Sequence, residues 1–96
     1  MNSLINLALI GASGVVGKKI ISLLENKNIE INNFYPVGST SVGGEIVFNN
    51  NEYKIEDLTN FDYTKVNLAI FSAGSKVAEE HAKDFVNAGA YVIDLS

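Results

Sequence analysis

The sequence predicts an α/β fold, a doubly wound and mostly parallel sheet with helices on both faces. Three observations point there. Short apolar runs, Leu4–Ile10 and Asn67–Phe71, have the length and composition of strands covered on both sides. Each is followed by glycine- or serine-rich residues and then by a segment of helical periodicity. Strands that alternate with helices in this way become parallel neighbours through crossovers of one hand, which distributes the helices over both faces.

The elements follow in order. Leu4–Ile10, nearly all apolar, reads as a central strand. Val16, Ile20, Leu23 and Leu24 then recur at i, i+4, i+7 and i+8, with Lys18, Lys19, Ser22, Glu25 and Asn26 opposite, which is an amphipathic helix. Asn26-Lys27-Asn28 ends it. Ile31–Val37 forms a second strand whose ladder bonding is limited by Pro36. Gly38–Gly44 holds three glycines and three hydroxyl residues, so it is a loop with polar groups to spare. Glu45–Phe48 and Glu52–Ile55 are expected to form a hairpin around Asn49-Asn50-Asn51. Asp57–Lys65 reads as a connector, and Asn67–Phe71 as another buried strand. Lys76–Ala88 is a second amphipathic helix with Val77, Ala78, Ala82, Phe85 and Val86 on one side and Gly89 suited to its C′ position. Ala90–Asp94 is the last strand. With no repeat or linker, residues 1–96 are expected to form one domain.

Composition narrows the chemistry. The chain has no cysteine, which excludes disulfides, thiolate metal sites and a cysteine nucleophile among these residues. A net charge of −4 opposes a nucleic-acid partner, and all seven basic residues are lysines, so no guanidinium fork can hold a phosphate. Anion binding must therefore use backbone N–H groups, hydroxyls or lysine. No apolar run approaches a membrane span, and Met1, Asn2 and Ser3 lack the charge of a secretory leader, so the expected location is the cytoplasm.

Gly11-Ala12-Ser13-Gly14-Val15-Val16-Gly17 lies between the first strand and the first helix. In a Rossmann-type unit such glycines permit the tight turn, let a dinucleotide pyrophosphate approach the backbone and let the helix pack on the strand. Gly11, Gly14 and Gly17 are accordingly candidate cofactor-binding residues; the alternative is a tight turn without a ligand. A Walker A loop does not fit, because it would need glycine at Ala12 and a hydroxyl residue at Lys19. After the second strand, where NAD-specific folds place a carboxylate, the chain has Val37-Gly38-Ser39-Thr40-Ser41. Three hydroxyls and no acid favour NADP over NAD; the alternative is an ordinary Ser/Thr/Gly turn. Ser72-Ala73-Gly74 leaves the Asn67–Phe71 strand, so three loops are expected at one sheet edge, with Ser75 as a possible helix N-cap.

Other residues invite functional readings that local structure explains better. His81 lies mid-helix on the border of the apolar stripe, away from Ser72, which suits a structural residue more than a general base. Glu79 stands four residues before Lys83, the spacing of a solvated face. Tyr53, Phe61 and Tyr63 suit a small core patch more than a base-stacking platform. No metal site is expected.

Taken in order, the Gly11–Gly17 run, the serine- and glycine-rich loop through Gly43, Phe71-Ser72-Ala73-Gly74 and Val92-Ile93-Asp94 resemble the aspartate-semialdehyde dehydrogenases. The likeness runs the whole length of the chain. Val15-Val16 resembles this family more than the N-acetyl-glutamyl-phosphate reductases, which favour Tyr-Thr there. The resemblance implies an enzyme that uses NADPH to reduce β-aspartyl phosphate to aspartate semialdehyde, on the route to lysine, threonine and methionine, acting as a dimer or tetramer. It implies that Gly11, Ser13, Gly14 and Val15 hold the pyrophosphate and that Ser39, Thr40 and Ser41 surround the 2′-phosphate. Ser72, Ala73 and Gly74 would line the adenosine and nicotinamide path. Two positions depart from the family: Thr40 stands where many members have arginine, and Leu95 where asparagine often follows Val-Ile-Asp. The family's catalytic cysteine, substrate-binding arginine and histidine would lie beyond residue 96. Residues 1–96 are thus expected to be the N-terminal cofactor-binding portion of a longer enzyme, inactive and prone to self-association alone. The alternatives are a reductase of N-acetyl-glutamyl phosphate or a non-catalytic dinucleotide sensor.

Overall fold

A computed structural model describes residues 4–95. The chain runs β1 (Asn6–Ile10), α1 (Val15–Asn26), β2 (Asn33–Gly38), β3 (Glu45–Phe48), β4 (Asn51–Lys54) and β5 (Glu56–Asp57). Two single-turn 3-10 helices, Leu58–Asn60 and Tyr63–Lys65, lead to β6 (Leu68–Phe71), α2 (Ser75–Asn87) and β7 (Tyr91–Asp94). Five strands form one sheet in the order β5-β2-β1-β6-β7, every neighbouring pair parallel, and β3 and β4 form a separate antiparallel hairpin. The fold class expected from the alternation of strands and helices is the one observed.

Side-chain alternation along β1 divides the core in two. Leu7 and Leu9 face α1 and the hairpin, packing with Ile21, Phe34, Ile46, Phe48 and Ile70. Ala8 and Ile10 face the other layer, with Val37, Leu58, Phe61, Phe71, Ala78 and Phe85. Each fully buried Leu or Phe contributes about 1.5–3 kcal/mol relative to exposure. The aromatics expected in the core are there, in two patches on opposite faces. Phe34 stacks on Phe48 at 4.6 Å and meets Tyr53 at 5.1 Å. Phe85 meets Tyr63 at 4.8 Å and Phe71 at 5.6 Å.

Several local readings change. β1 starts at Asn6, not Leu4, because asparagines organise the strand beginnings: the Asn6 side-chain oxygen accepts from the amides of Asn32 and Asn33, each at 2.9 Å. The Asn67 side-chain oxygen in turn accepts from the Asn6 N–H at 2.8 Å. The buried side of α1 centres on Gly17 and Ile21, while Val16 and Leu23, expected on the apolar face, are 44% and 54% exposed. The hairpin turn has two residues, Asn49 and Asn50, at φ of 50° and 65°, and Asn51 belongs to β4. Asparagine tolerates that left-handed pair, whose twist matches the strands. The Asp57–Lys65 connector contains a strand residue and both 3-10 turns, and β5, with two residues, is too short to show a pattern in the sequence.

Pro36 sits where its missing donor matters least. The Val37 carbonyl accepts from the Gly11 N–H at 2.8 Å, so Val37 turns its polar groups towards β1 and Pro36 turns away. On that outer side β5 pairs only with Val37 and Gly38. At the end of α2, Gly89 has φ of 95° and its N–H donates to Val86, while that of Ala90 donates to Phe85, each at 3.0 Å. This is a Schellman closure with glycine at C′, as the sequence led us to expect.

Candidate functional site

Sheet register brings three loops together. Ile10 lies opposite Val37 on one side and Phe71 on the other, so Gly11, Gly38 and Ser72 leave the strands side by side at their carboxyl ends. That edge, beside the strand where the chain reverses direction across the sheet, is where open α/β folds take ligands.

The glycines of the first loop have separate tasks. Gly11 adopts φ of +89°, and a Cβ there would stand 2.9 Å from the backbone nitrogen and Cβ of Ala73. Gly17 is buried, and a Cβ on it would lie 2.3 Å from the Gly11 carbonyl oxygen. Its absent side chain lets α1 pack against the end of β1. Gly14 is the N-cap of α1 and provides no side-chain cap, and no acidic residue occupies the first turn. The N–H groups of that turn lack intrahelical acceptors, which makes the helix start receptive to an anion. Val15 stands 75% exposed beside it.

A cavity of about 260 Å³ opens between the loops. Gly11, Ser13, Gly38, Ser39, Thr40, Ser41 and Ala73 line it, and Ile10, Leu58 and Val77 form apolar walls. The Ser13 and Ser41 hydroxyls lie 3.2 Å apart and join the first two loops. None of the lining side chains is ionisable. The groups whose pKa shifts, Asp57, Asp62 and Tyr63, are not among them: hydrogen bonds from Thr59 and Thr64 lower the pKa of the two carboxyls, and burial chiefly raises that of the phenol. Hydroxyls, glycine backbone and apolar walls can bind a phosphorylated, partly aromatic ligand, but they supply no general acid or base. The volume suits one end of a dinucleotide, the rest lying along the open strand ends.

The structure thus gathers Gly11, Ser13, Ser39, Thr40, Ser41 and Ala73 around one cavity and leaves Gly14, Val15, Gly17, Ser72 and Gly74 off its wall. The Ser72 hydroxyl is engaged elsewhere, donating towards the carbonyls of Ile10 at 2.9 Å and Gly11 at 3.2 Å. Ser75 is not the N-cap of α2. That position is Gly74, at φ of 100°, and it makes no side-chain cap bond. The sequence does not mark Leu58 and Val77 as site residues. Val77 was visible as part of an amphipathic stripe, whereas Leu58 follows a strand too short to show a period.

His81 does not line the cavity; it is half-buried on α2, with Nε2 3.9 Å from a Glu80 carboxylate oxygen and a buried Nδ1 that has no partner among the described residues. Glu79 and Lys83 are exposed, as a solvated face requires. Among the described residues no group of acidic, histidine or cysteine side chains could hold a metal ion, and no helix is long and apolar enough to cross a membrane. A larger groove of about 450 Å³ runs between β2 and β4, lined by Asn32, Tyr53, Lys54 and Glu56 among others. It lies along the outer sheet edge, away from the glycine loop.

Known proteins carry the same arrangement. The chain is 42% identical over 95 residues to an aspartate-semialdehyde dehydrogenase of Legionella pneumophila, covering 98% of this chain and 27% of that protein. The aspartate semialdehyde dehydrogenase II of Vibrio cholerae, solved complexed with ASA, superposes with a TM-score of 0.92 at 29% identity over 96% of this chain and 30% of that one. A probable aspartate-semialdehyde dehydrogenase from Pseudomonas aeruginosa gives a TM-score of 0.93 at 33% identity, covering 98% and 28%. The chain therefore spans under a third of the length of each of these proteins. The family described as semialdehyde dehydrogenase, NAD binding domain, matches residues 6–96. With the glycine loop, the parallel sheet and the cavity at its carboxyl edge all in place, the chain belongs to the semialdehyde dehydrogenase NAD-binding domain family.

Proposed function

We propose that residues 1–96 are the NADP-binding domain of an aspartate-semialdehyde dehydrogenase, an enzyme that reduces β-aspartyl phosphate to aspartate semialdehyde with NADPH. The observation that carries this reading is the cavity where the Gly11 loop meets Ser39, Thr40 and Ser41 with no charged side chain on its wall. A carboxylate at the end of the second strand would bond a ribose 2′-hydroxyl and repel a 2′-phosphate; three hydroxyls can donate to that phosphate instead. The start of α1, without a side-chain cap, offers its N–H groups to the pyrophosphate beside Gly11, Ser13, Gly14 and Val15. Gly17 lets the helix approach, and Ala73 and Gly74 border the path of the remaining cofactor.

The cofactor supplies the hydride. Residues of this chain bind and orient it, and none of the cavity side chains can move a proton or form a thioester. In this reading the cysteine, arginine and histidine of the reaction come from further residues of a longer, homo-oligomeric cytoplasmic enzyme, and the 96 residues alone bind cofactor without turnover. The pathway assignment to lysine, threonine and methionine rests on the same family likeness.

Calorimetric titration of the chain with NADPH and NADH tests the reading. Saturable NADPH binding, tighter than NADH binding, is expected. No heat and no fluorescence change with either at millimolar concentration would overturn it.

A further inference from the structure

We propose that Ser72 positions the glycine loop for the cofactor's pyrophosphate without touching the cofactor; this rests on the reading that the loop takes that pyrophosphate. The Ser72 N–H donates to the Ile10 carbonyl at 2.8 Å, and its hydroxyl donates towards the same oxygen at 2.9 Å and towards the Gly11 carbonyl oxygen at 3.2 Å. A serine hydroxyl has one proton. Shared between those two carbonyls, it leaves only acceptor lone pairs, which an anion does not favour. Ser72 is also half-buried and absent from the cavity wall, where its neighbour Ala73 stands.

What Ser72 holds is an orientation. The Gly11 carbonyl oxygen also accepts from the Gly14 N–H at 3.1 Å, and it faces the space left by the missing side chain of Gly17. It is therefore turned into the protein. The Gly11–Ala12 peptide is trans and planar, so an inward carbonyl turns the Ala12 N–H the opposite way. Gly11 is the residue least able to hold that plane by itself, because glycine crosses between φ regions at little cost. Without the Ser72 hydroxyl the peptide could rotate and bring its carbonyl dipole towards the phosphates, where it would oppose binding.

The experiment compares the 96-residue chain with S72A and S72T, measuring dissociation constants for NADPH and for adenosine 2′-monophosphate, which has no pyrophosphate. S72A is expected to weaken NADPH binding about tenfold, equivalent to about 1.4 kcal/mol, with 2′-monophosphate binding within about twofold of the unaltered chain. S72T, which keeps the hydroxyl, restores NADPH binding. If S72A does not fold, S72C, with similar volume and a weaker donor, is expected to show the same selective loss to a smaller degree. S72A binding NADPH like the unaltered chain, or losing both ligands in equal proportion, overturns the role of Ser72 alone. Failure of the unaltered chain to bind NADPH overturns the cofactor reading and this role together.

Discussion

The Ser13 hydroxyl lies 3.2 Å from the Ser41 hydroxyl, 28 residues further along the chain, and so joins the loop that opens α1 to the loop that follows β2. The pair sets the loop proposed for the pyrophosphate directly against the loop proposed for the 2′-phosphate. Charge introduced at Ser41 should consequently be felt as cofactor choice. Ser41→Asp is expected to weaken NADPH binding by about tenfold to a hundredfold through like-charge repulsion, with NADH binding changed much less. Paired titrations with the two cofactors measure the ratio.

Gly17 and Gly14 belong to one motif yet should respond differently. Alanine at Gly17 would set its Cβ 2.3 Å from the Gly11 oxygen and 2.8 Å from the Ala12 oxygen, both backbone atoms that can move only with the loop. Gly17→Ala is expected to lower unfolding stability by about 3 kcal/mol. Gly14 has φ of −75° and its Cβ would meet nothing nearer than 3.5 Å, so Gly14→Ala should cost about 0.5 kcal/mol. Urea unfolding of the two variants tests the contrast.

Gly89 offers a control remote from the cavity. A Cβ there would touch nothing within 4 Å, but the φ of +95° strains any other residue. Gly89→Ala should cost about 1 kcal/mol of stability and leave NADPH affinity unchanged.

Asp57 and Asp62 each cap a 3-10 turn, accepting from the N–H groups of Thr59 and Thr64 at 3.0 Å and from those residues' hydroxyls. These bonds hold the pKa of both carboxyls below its ordinary value, the Thr59 and Thr64 hydroxyls contributing most. A carboxyl whose folded value lies below its unfolded value of about 4 stabilises the fold above that pH, and the contribution fades as pH falls through the folded value. The stability difference between the unaltered chain and Asp57→Ala or Asp62→Ala should therefore be largest from neutral pH to mildly acidic conditions. It should shrink below about pH 4. A difference that grows on acidification would contradict the capping role.

Much of this architecture is legible in the residues, and the exceptions have physical causes. The central strand, the glycine loop and α2 with Gly89 announce themselves by apolar runs, spacing and a left-handed glycine. The rotation of α1 does not, because its buried side is marked at the point of closest approach by Gly17, which has no hydrophobicity to count, while Val16 and Leu23 stay exposed. β5 has two residues and therefore no periodicity, so Leu58 could not be placed on the cavity wall in advance. Ser72 looks like a ligand-facing loop residue, but its partners are main-chain carbonyls, and a sequence does not show where those point.

Backbone amide chemical shifts of the isotopically labelled chain, followed during NADPH titration, show whether the cofactor occupies the cavity between the loops. With the cofactor seated there, the largest changes fall at Gly11, Ser13, Ser39, Thr40, Ser41 and Ala73, with smaller ones elsewhere. Changes centred on the groove at Asn32, Tyr53 and Lys54, or no change at saturating NADPH, would contradict that placement.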